Sequence, residues 1–328
     1  MKIERSVAEK YFNEFNKKKV LIVGDVMVDS YLLGKVNRIS PEAPIPIVSV
    51  KEQDYRLGGA ANVALNVSAL GAETILCSVI GDDEKGLVFE SLLQKHNLKS
   101  DGIIKTKNRR TTVKTRIISQ GQHLLRVDEE DSHHLEESVQ IILFERIQKL
   151  IDLYKIDVII MEDYDKGVLT PKLIEQITNL ANSKSLITSV DPKKNNFNNY
   201  FGVSLFKPNL KEFSEGLKSE VDKNDISKLK VLATEFIHKT GIGIIMITLS
   251  EKGILIGDKN QMIHLPAYVR DIADVSGAGD TVISVASLLL ASKATLTDIA
   301  AIANTAGGLV CEKTGVVPIK TNELLAEF

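Results

Sequence analysis

Residues Asp274–Val282 read DVSGAGDTV: Gly277, Ala278 and Gly279 lead straight into a bare carboxylate, Asp280, and an apolar run then reaches Leu290. Small residues let the backbone come close to another group. If the apolar run is a helix entered from a β-like approach, its first turn offers unpaired N–H groups and positive potential, which suit an anion. Asp280 is itself an anion, so a bound anion and this carboxylate must share one pocket. A phosphate held beside a base resolves that conflict. Three further stretches carry polar groups where strands should end. GDVMVD supplies Asp25 and Asp29, GGAAN supplies Gly58, Gly59 and Asn62 at a helix start, and FKPNLKEF supplies Asn209 and Glu212. Each alone reads as turn or cap chemistry. Together they place sugar- and phosphate-compatible groups where an open α/β sheet binds its ligand, outside the carboxyl ends of its strands.

The elements that must position these groups alternate along the chain. Apolar runs VLIVGDVMV (20–28), TILCSVI (74–80), DVIIMED (157–163), LITSVD (186–191) and IGIIMITL (242–249) read as strands. They are mostly uninterrupted, as strands covered on both faces are. Between them, Ala60–Leu70, Glu136–Tyr154, Pro171–Ala181, Asp225–His238 and Thr297–Val310 carry helical spacing. The alternation predicts a three-layer α/β/α sandwich around a mainly parallel sheet, one domain over residues 1–328. Two segments break the rhythm. Ser30–Leu57, with three prolines and IPIVSV, and Thr111–Asp128, two strand-like runs about QGQ, predict a small β-element inserted at about 30–57 and 108–128.

Composition excludes several classes. Lysine plus arginine total 41 against 43 acidic residues, a net charge of −2, which does not suit charge-driven binding to nucleic acid or a membrane surface. The absence of tryptophan and an aromatic content of 5% leave little for base stacking. Cys77 and Cys311 lie in apolar surroundings and read as buried reduced thiols, and no Cys/His spacing matches zinc. The charged N-terminus lacks a signal-peptide core, and no apolar stretch has the length of a membrane span, so a cytoplasmic location is expected. A Walker loop fails because Glu312 stands where GGLVCEKTG would need glycine. The dinucleotide fingerprint fails because Val282 replaces its third glycine.

DVSGAGDTV resembles the C-terminal signature of the PfkB/ribokinase family of sugar kinases, and GGAANVALNVSALGA resembles its N-terminal glycine motif, with the likeness running from about Val20 to Pro318. GDVMVDSYLLGKVNRISPEAPIPIV, TVKTRIISQGQHLLRVDEED, EDYDKGVLT and DPKKNNFNNYFG resemble the heptose-7-phosphate kinase branch, in some bacteria fused to an adenylyltransferase. RISPEAP, Arg38–Pro44, is the most discriminating stretch. The sequence ends ten residues after Pro318, so a stand-alone kinase is expected, with an adenylyltransferase as a separate pathway partner. The resemblance implies a ribokinase-like fold whose inserted β-element is a lid that also pairs two subunits.

It further implies ATP and Mg²⁺ as cofactors and a sugar phosphate as acceptor, the anomeric hydroxyl of D-glycero-β-D-manno-heptose 7-phosphate in this branch. Fructose phosphate, ribose or a nucleoside is the alternative within the family, and a non-catalytic sugar-phosphate-binding regulator the alternative outside it. Asp280 becomes the base, held ionised by its helix start, and the amides of Gly277, Ala278 and Gly279 become an anion hole. Asp29, Gly58, Gly59, Asn62 and Asp163 match sugar-binding positions, although Glu162 departs from the small residue expected there. Lys193, Arg38, Lys114 and Arg116 are the cations available to a phosphate on the substrate. Asn209, Leu210, Lys211 and Glu212 match the element for Mg²⁺-bound phosphates, with Glu212 acting through water. Thr248, Ser250 and Gly253 match the nucleotide-binding strand end, Ser250 standing where glycine is common, and Asn304 and Gly308 the adenine pocket. Asp274, Ser276 and Gly315 match the positions of a monovalent cation such as K⁺ in some relatives.

Overall fold

Helix α1 (Arg5–Phe15) precedes strand β1 (Lys19–Gly24), whose side chains leave the sheet alternately toward its two faces. Val20 and Ile22 enter one apolar core, while Leu21 and Val23 enter another. This period of two makes a three-layer molecule, because each core needs its own covering of helices. The computed structural model describes residues 3–268 and 270–328, so Met1, Lys2 and Val269 lie outside the described residues.

The first half continues through β2 (Val26–Ile39), β3 (Pro46–Gly59), α2 (Ala60–Ala69), β4 (Glu73–Gly81), α3 (Glu84–Lys95), β5 (Lys99–Thr106), β6 (Val113–Ser119), β7 (Gln122–Glu129) and α4 (Glu137–Tyr154). The second half adds β8 (Val158–Glu162), α5 (Pro171–Ser183), β9 (Ile187–Asp191), β10 (Leu205–Phe206), α6 (Leu210–Leu217), α7 (Ile226–Thr240), β11 (Ile244–Thr248), β12 (Ile254–Gly257), β13 (Met262–Leu265), α8 (Ala278–Ala291), α9 (Leu296–Cys311) and α10 (Thr321–Leu325). The main sheet has the order β13-β12-β11-β10-β9-β8-β1-β4-β5 and is parallel except at β12 and β13. Helices α1, α2, α3, α8 and α9 share the first core, and α4 to α7 the second. The second core includes Phe197, Phe206, Phe213 and Phe236, whose rings meet edge-on, tilted and stacked.

A second sheet of order β3-β2-β6-β7 takes up most of the residues expected in the inserted β-element. Its hairpins turn at the proline-bearing stretch after Ile39 and at Gln120–Gly121, where both residues have positive φ.

Three expectations are corrected. The run 20–28 is not one strand: it breaks at Asp25, whose carboxylate accepts the backbone N–H groups of Tyr164, Lys166 and Val168 at 2.8–3.0 Å. That bend sends β2 out of the main sheet and makes Asp25 a tie between loops, its carboxyl pushed up to about 6 by burial and the nearby Asp163. The approach to Asp280 is not a strand either. Ala273 and Asp274 donate their N–H groups to the Cys311 carbonyl, so this segment follows the end of α9. Cys77 is buried with its thiol pushed up to about 12 by burial, but Cys311 is only half-buried.

Candidate active site

The carboxyl ends of β8 and β9, the first turn of α6 and the start of α8 converge on a cleft of about 790 Å³. Asp280 lies in the first turn of α8 and is only 6% exposed. One of its oxygens accepts the Tyr164 hydroxyl at 2.8 Å and the other accepts the Asn62 side-chain amide at 2.5 Å. Gly277 caps the helix with φ +78°, and a Cβ there would lie 3.2 Å from both the Asn62 amide nitrogen and Val316 Cγ1. A left-handed backbone packed this closely favours glycine. A Cβ on Gly279 would stand 3.6 Å from Asp191 Oδ2 and Lys207 Nζ, so the helix start looks onto that ion pair. Of the three amides expected in an anion hole, that of Ala278 points back to the Val275 carbonyl at 3.3 Å.

Burial raises the Asp280 carboxyl above its ordinary range, reinforced by Asp191, against the opposing hydrogen bonds of Asn62 and Tyr164 and the charge of Lys207. Burial thus works against the helix start, and the group sits above the ordinary aspartate range.

Two cations line the same cleft, Lys207 buried and Lys193 half-buried. Lys207 pairs with Asp191 at 2.8 Å. Lys193 pairs with Glu212 at 2.5 Å, lies 4.0 Å from Asp191 and sits 5.2 Å from the centre of the Tyr164 ring. Burial works to lower the Lys193 ammonium, but Asp191 and Glu212 outweigh it and hold it raised. Asn209 and Glu212 form a capping box on α6, each side chain accepting the other's backbone N–H at 2.8 Å. Glu212 therefore holds a helix start and a lysine while also lining the cleft. Leu210 packs into the second core and Lys211 is exposed beside Glu215, so neither lines the cleft and their nucleotide-binding assignment is corrected.

Thr248, Ser250, Gly253, Asn304 and Gly308 line the far end of the cleft. Ser250 has φ +52°, a left-handed conformation that a glycine would adopt without the Cβ penalty serine carries. Asn304 donates to the Pro266 carbonyl at 2.9 Å. Asp274 accepts the backbone N–H groups of Ser276 and Gly315 at 2.9 and 3.0 Å. Burial pushes its carboxyl up, but those two N–H groups prevail and hold it low.

On the sugar side, Asp29 is buried at the root of β2 and paired with Arg116 of β6. Gly58 faces it on β3, where a Cβ would come within 2.4 Å of Asp29 Oδ2. Gly59, with φ +61°, must pass the Asp25 carbonyl, 2.4 Å from where its Cβ would be. Lys114 is half-buried, and burial lowers its ammonium. Arg38 is not brought near: it is exposed nine residues beyond Asp29 on β2, roughly 30 Å at the strand rise. Asp163 is also corrected. Its oxygens accept Asn196, Tyr200 and the Asp165 N–H at 2.8–3.0 Å, so it braces loops away from the cleft. The alternation of β8 turns its neighbour Glu162 inward instead, where single oxygens of Glu162, Asp191 and Asp280 lie within 4.8 Å of one another.

Sequence reasoning missed Tyr164, Asp191 and Lys207, all of which line the cleft, and read Glu162 only as a departure from the expected small residue. The signal was present for Asp191 and Lys207, since both stand at ends of strand-like runs, in LITSVD and LFK.

A model described as pfkB family carbohydrate kinase matches residues 17–322. The bifunctional protein HldE of Citrifermentans bemidjiense is 37% identical over 331 residues, covering 99% of this chain and 66% of that protein. HldE of Helicobacter pylori strain J99 is 39% identical over 299 residues, covering 91% and 64% respectively. The chain thus spans about two thirds of the length of these relatives. Among solved structures, phosphofructokinase-2 from Escherichia coli in complex with potassium superposes with a TM-score of 0.76 at 19% identity, over 94% of this chain and 98% of that one. Arabidopsis thaliana ribokinase complexed with ribose and ATP superposes with a TM-score of 0.70 at 16% identity, over 94% and 98%. Both share the three-layer fold.

Proposed function

Because the chain belongs to the PfkB family of carbohydrate kinases, we propose that it transfers the γ-phosphoryl group of ATP to the anomeric hydroxyl of D-glycero-β-D-manno-heptose 7-phosphate. The observation that carries this reading is the buried Asp280 carboxylate behind a left-handed glycine, opening on a cleft lined by buried Lys207 and half-buried Lys193. Phosphoryl transfer needs positioning and neutralisation of charge more than covalent chemistry. In the proposed step Asp280 accepts the acceptor hydroxyl proton, that oxygen bonds to the γ-phosphorus, and the bridging oxygen leaves with ADP. The amides of Gly277 and Gly279 stabilise charge on the group in transit, and Lys193 and Lys207 add positive charge.

A magnesium ion, when bound with ATP, neutralises the phosphate oxygens. Glu212 and Asp191 offer the oxygen donors a hydrated magnesium ion takes, and Asp191 Oδ1 is buried without a hydrogen-bond partner, so the donor set fits. Thr248, Ser250, Gly253, Asn304 and Gly308 receive the nucleoside. Asp29, Gly58 and Asn62 receive sugar hydroxyls, and Arg116 and Lys114 face the substrate phosphate. Potassium at Asp274, Ser276 and Gly315 belongs to the same proposal and is read by repeating the assay in sodium buffer.

The heptose assignment is supported by RISPEAP and the other branch-like stretches, together with relatives named as bifunctional protein HldE. The second sheet is proposed as a lid that excludes water from the acceptor, limiting ATP hydrolysis. It is also proposed to pair two chains, since Ile39, Ile45, Val50, Leu124, Leu125 and Val127 are exposed along it. A cytoplasmic location belongs to the same proposal; separately, among the described residues no helix is long and apolar enough to cross a membrane.

An acceptor screen with and without Mg²⁺ tests the function. Heptose 7-phosphate should give the highest kcat/KM for ADP formation, ahead of fructose 6-phosphate, ribose and nucleosides. Equal or better use of an unphosphorylated sugar would remove the heptose assignment, and ADP formation independent of any acceptor would remove the kinase role.

A further inference from the structure

Arg270 stands in the loop between β13 and α8. Its side chain is only 14% exposed and lines the cleft together with Asn304, Gly307 and Gly308 of α9. Nη1 donates to Glu312 Oε1 at 2.9 Å, and Nη2 donates to Glu327 Oε2. Nε is buried without a hydrogen-bond partner. A Cβ on Gly308 would lie 3.0 Å from that nitrogen and 2.9 Å from Arg270 Cδ, so the arm crosses α9 where the helix is bare. Charge and shape together limit what this group can bind. One guanidinium set between two carboxylates is already neutralised, which makes it a poor receiver for phosphate. The cations suited to phosphate lie toward Asp280 instead, Lys207 beside Gly279 and Lys193 over the Tyr164 ring. A guanidinium is also flat. With its Nη atoms held by acids and its Nε shut against Gly308, the flat face is the part left to the cleft. The wall that continues from it is apolar, since Ile272 and Val275 line the same cleft and are 65% and 66% exposed. Such surface suits a planar ring that buries it.

We propose, on the reading that this end of the cleft receives the nucleoside, that Arg270 is a specificity-determining residue: it stacks its guanidinium face on the purine ring, and Glu312 and Glu327 fix the plane in which it does so. A cation over a π-face gains most where both groups leave water together. The two acids do not compete with the ring, because they take the edge of the fork and leave the face open. Holding the plane in advance also lowers the ordering cost of binding. Lysine cannot replace this arrangement, being a point charge on a flexible stem with no plane to offer. The assignment does not depend on which sugar is the acceptor.

The test measures ADP and CDP binding to the whole chain by calorimetry, in Mg²⁺ and without acceptor, with melting temperatures taken on the same samples. Arg270→Lys and Arg270→Met should each weaken ADP about tenfold, the scale of a desolvated cation–π contact. Both should weaken CDP less, because a pyrimidine offers the smaller face. If neither variant folds, Glu312→Gln combined with Glu327→Gln keeps Arg270 but frees its plane, and should weaken ADP by about threefold through lost preorganisation. Wild-type ADP affinity in Arg270→Lys would show that charge alone suffices and overturn the stacking. An equal loss for ADP and CDP would do the same by making Arg270 a contact to ribose or phosphate, as would unchanged ADP affinity in the glutamine pair. A wild type that binds no ADP would remove the nucleotide reading as well, whereas wild-type binding that every variant shares removes the role of Arg270 alone.

Discussion

Asp280 is pulled in two directions. Burial and Asp191 favour its protonated form, while Asn62, Tyr164 and Lys207 favour the carboxylate. The balance lies above the ordinary value of about 3.9 for aspartate, which makes it a stronger base once ionised. A base must be deprotonated to act, so kcat/KM should fall as pH drops through this raised pKa, earlier than for an ordinary carboxylate. Tyr164→Phe removes a donor to the charged form and should move that acidic limb to still higher pH. A pH–rate profile of the two proteins checks this, and a limb that stays in place or moves down contradicts the assignment. The residues most readable in the sequence were those whose chemistry is contiguous, as in Gly277–Asp280, where spacing alone puts amides beside a carboxylate. Asp191, Lys207 and Tyr164 belong to the same pocket but reach it through strand order, which no local pattern encodes.

The elements place these groups by close backbone approaches. α8 can begin beside Asn62 and Val316 only because Gly277 takes φ +78° without a side chain. Gly277→Ala should cost about 1–2 kcal/mol for the left-handed backbone and lower kcat as well, measured by urea unfolding and steady-state kinetics. Unchanged stability and activity would mean that the cap tolerates a Cβ. β1 and β8 meet as tightly at their ends: a Cβ on Gly24 would lie 1.9 Å from the Glu162 carbonyl. Long strands and amphipathic helices were legible from period and caps, among them α5, opened by Thr170 and Pro171, and α7 after Asp225. The break at Asp25 was not, because VLIVGDVMV is apolar on both sides of it and the bend depends on three amides about 140 residues away. Asp163 and Glu162 were exchanged for a related reason: adjacent residues of a strand face opposite ways, and only register says which faces the cleft.

At the scale of the molecule, two cores on either face of one sheet hold the cleft rigid, and the second sheet stands off with apolar side chains exposed. That sheet was recognisable from its prolines and the QGQ turn, but its order β3-β2-β6-β7 was not, because β2 and β6 pair in parallel across residues far apart in sequence. Exposed Leu125 and Val127 predict self-association. Sedimentation should show two chains per particle, and Leu125→Asp combined with Val127→Asp should return single chains of unchanged melting temperature. A wild type that sediments as a single chain at micromolar concentration would contradict the pairing.

The central claim is that Asp280 takes the acceptor proton. The most direct measurement is acceptor-dependent ADP formation by Asp280→Asn beside the wild type, with ATP binding and melting temperature recorded on the same samples. Loss of about 10²–10⁴-fold in kcat, the usual contribution of a general base, with ATP binding and fold retained, is the predicted result. Turnover within a few-fold of the wild type would contradict it.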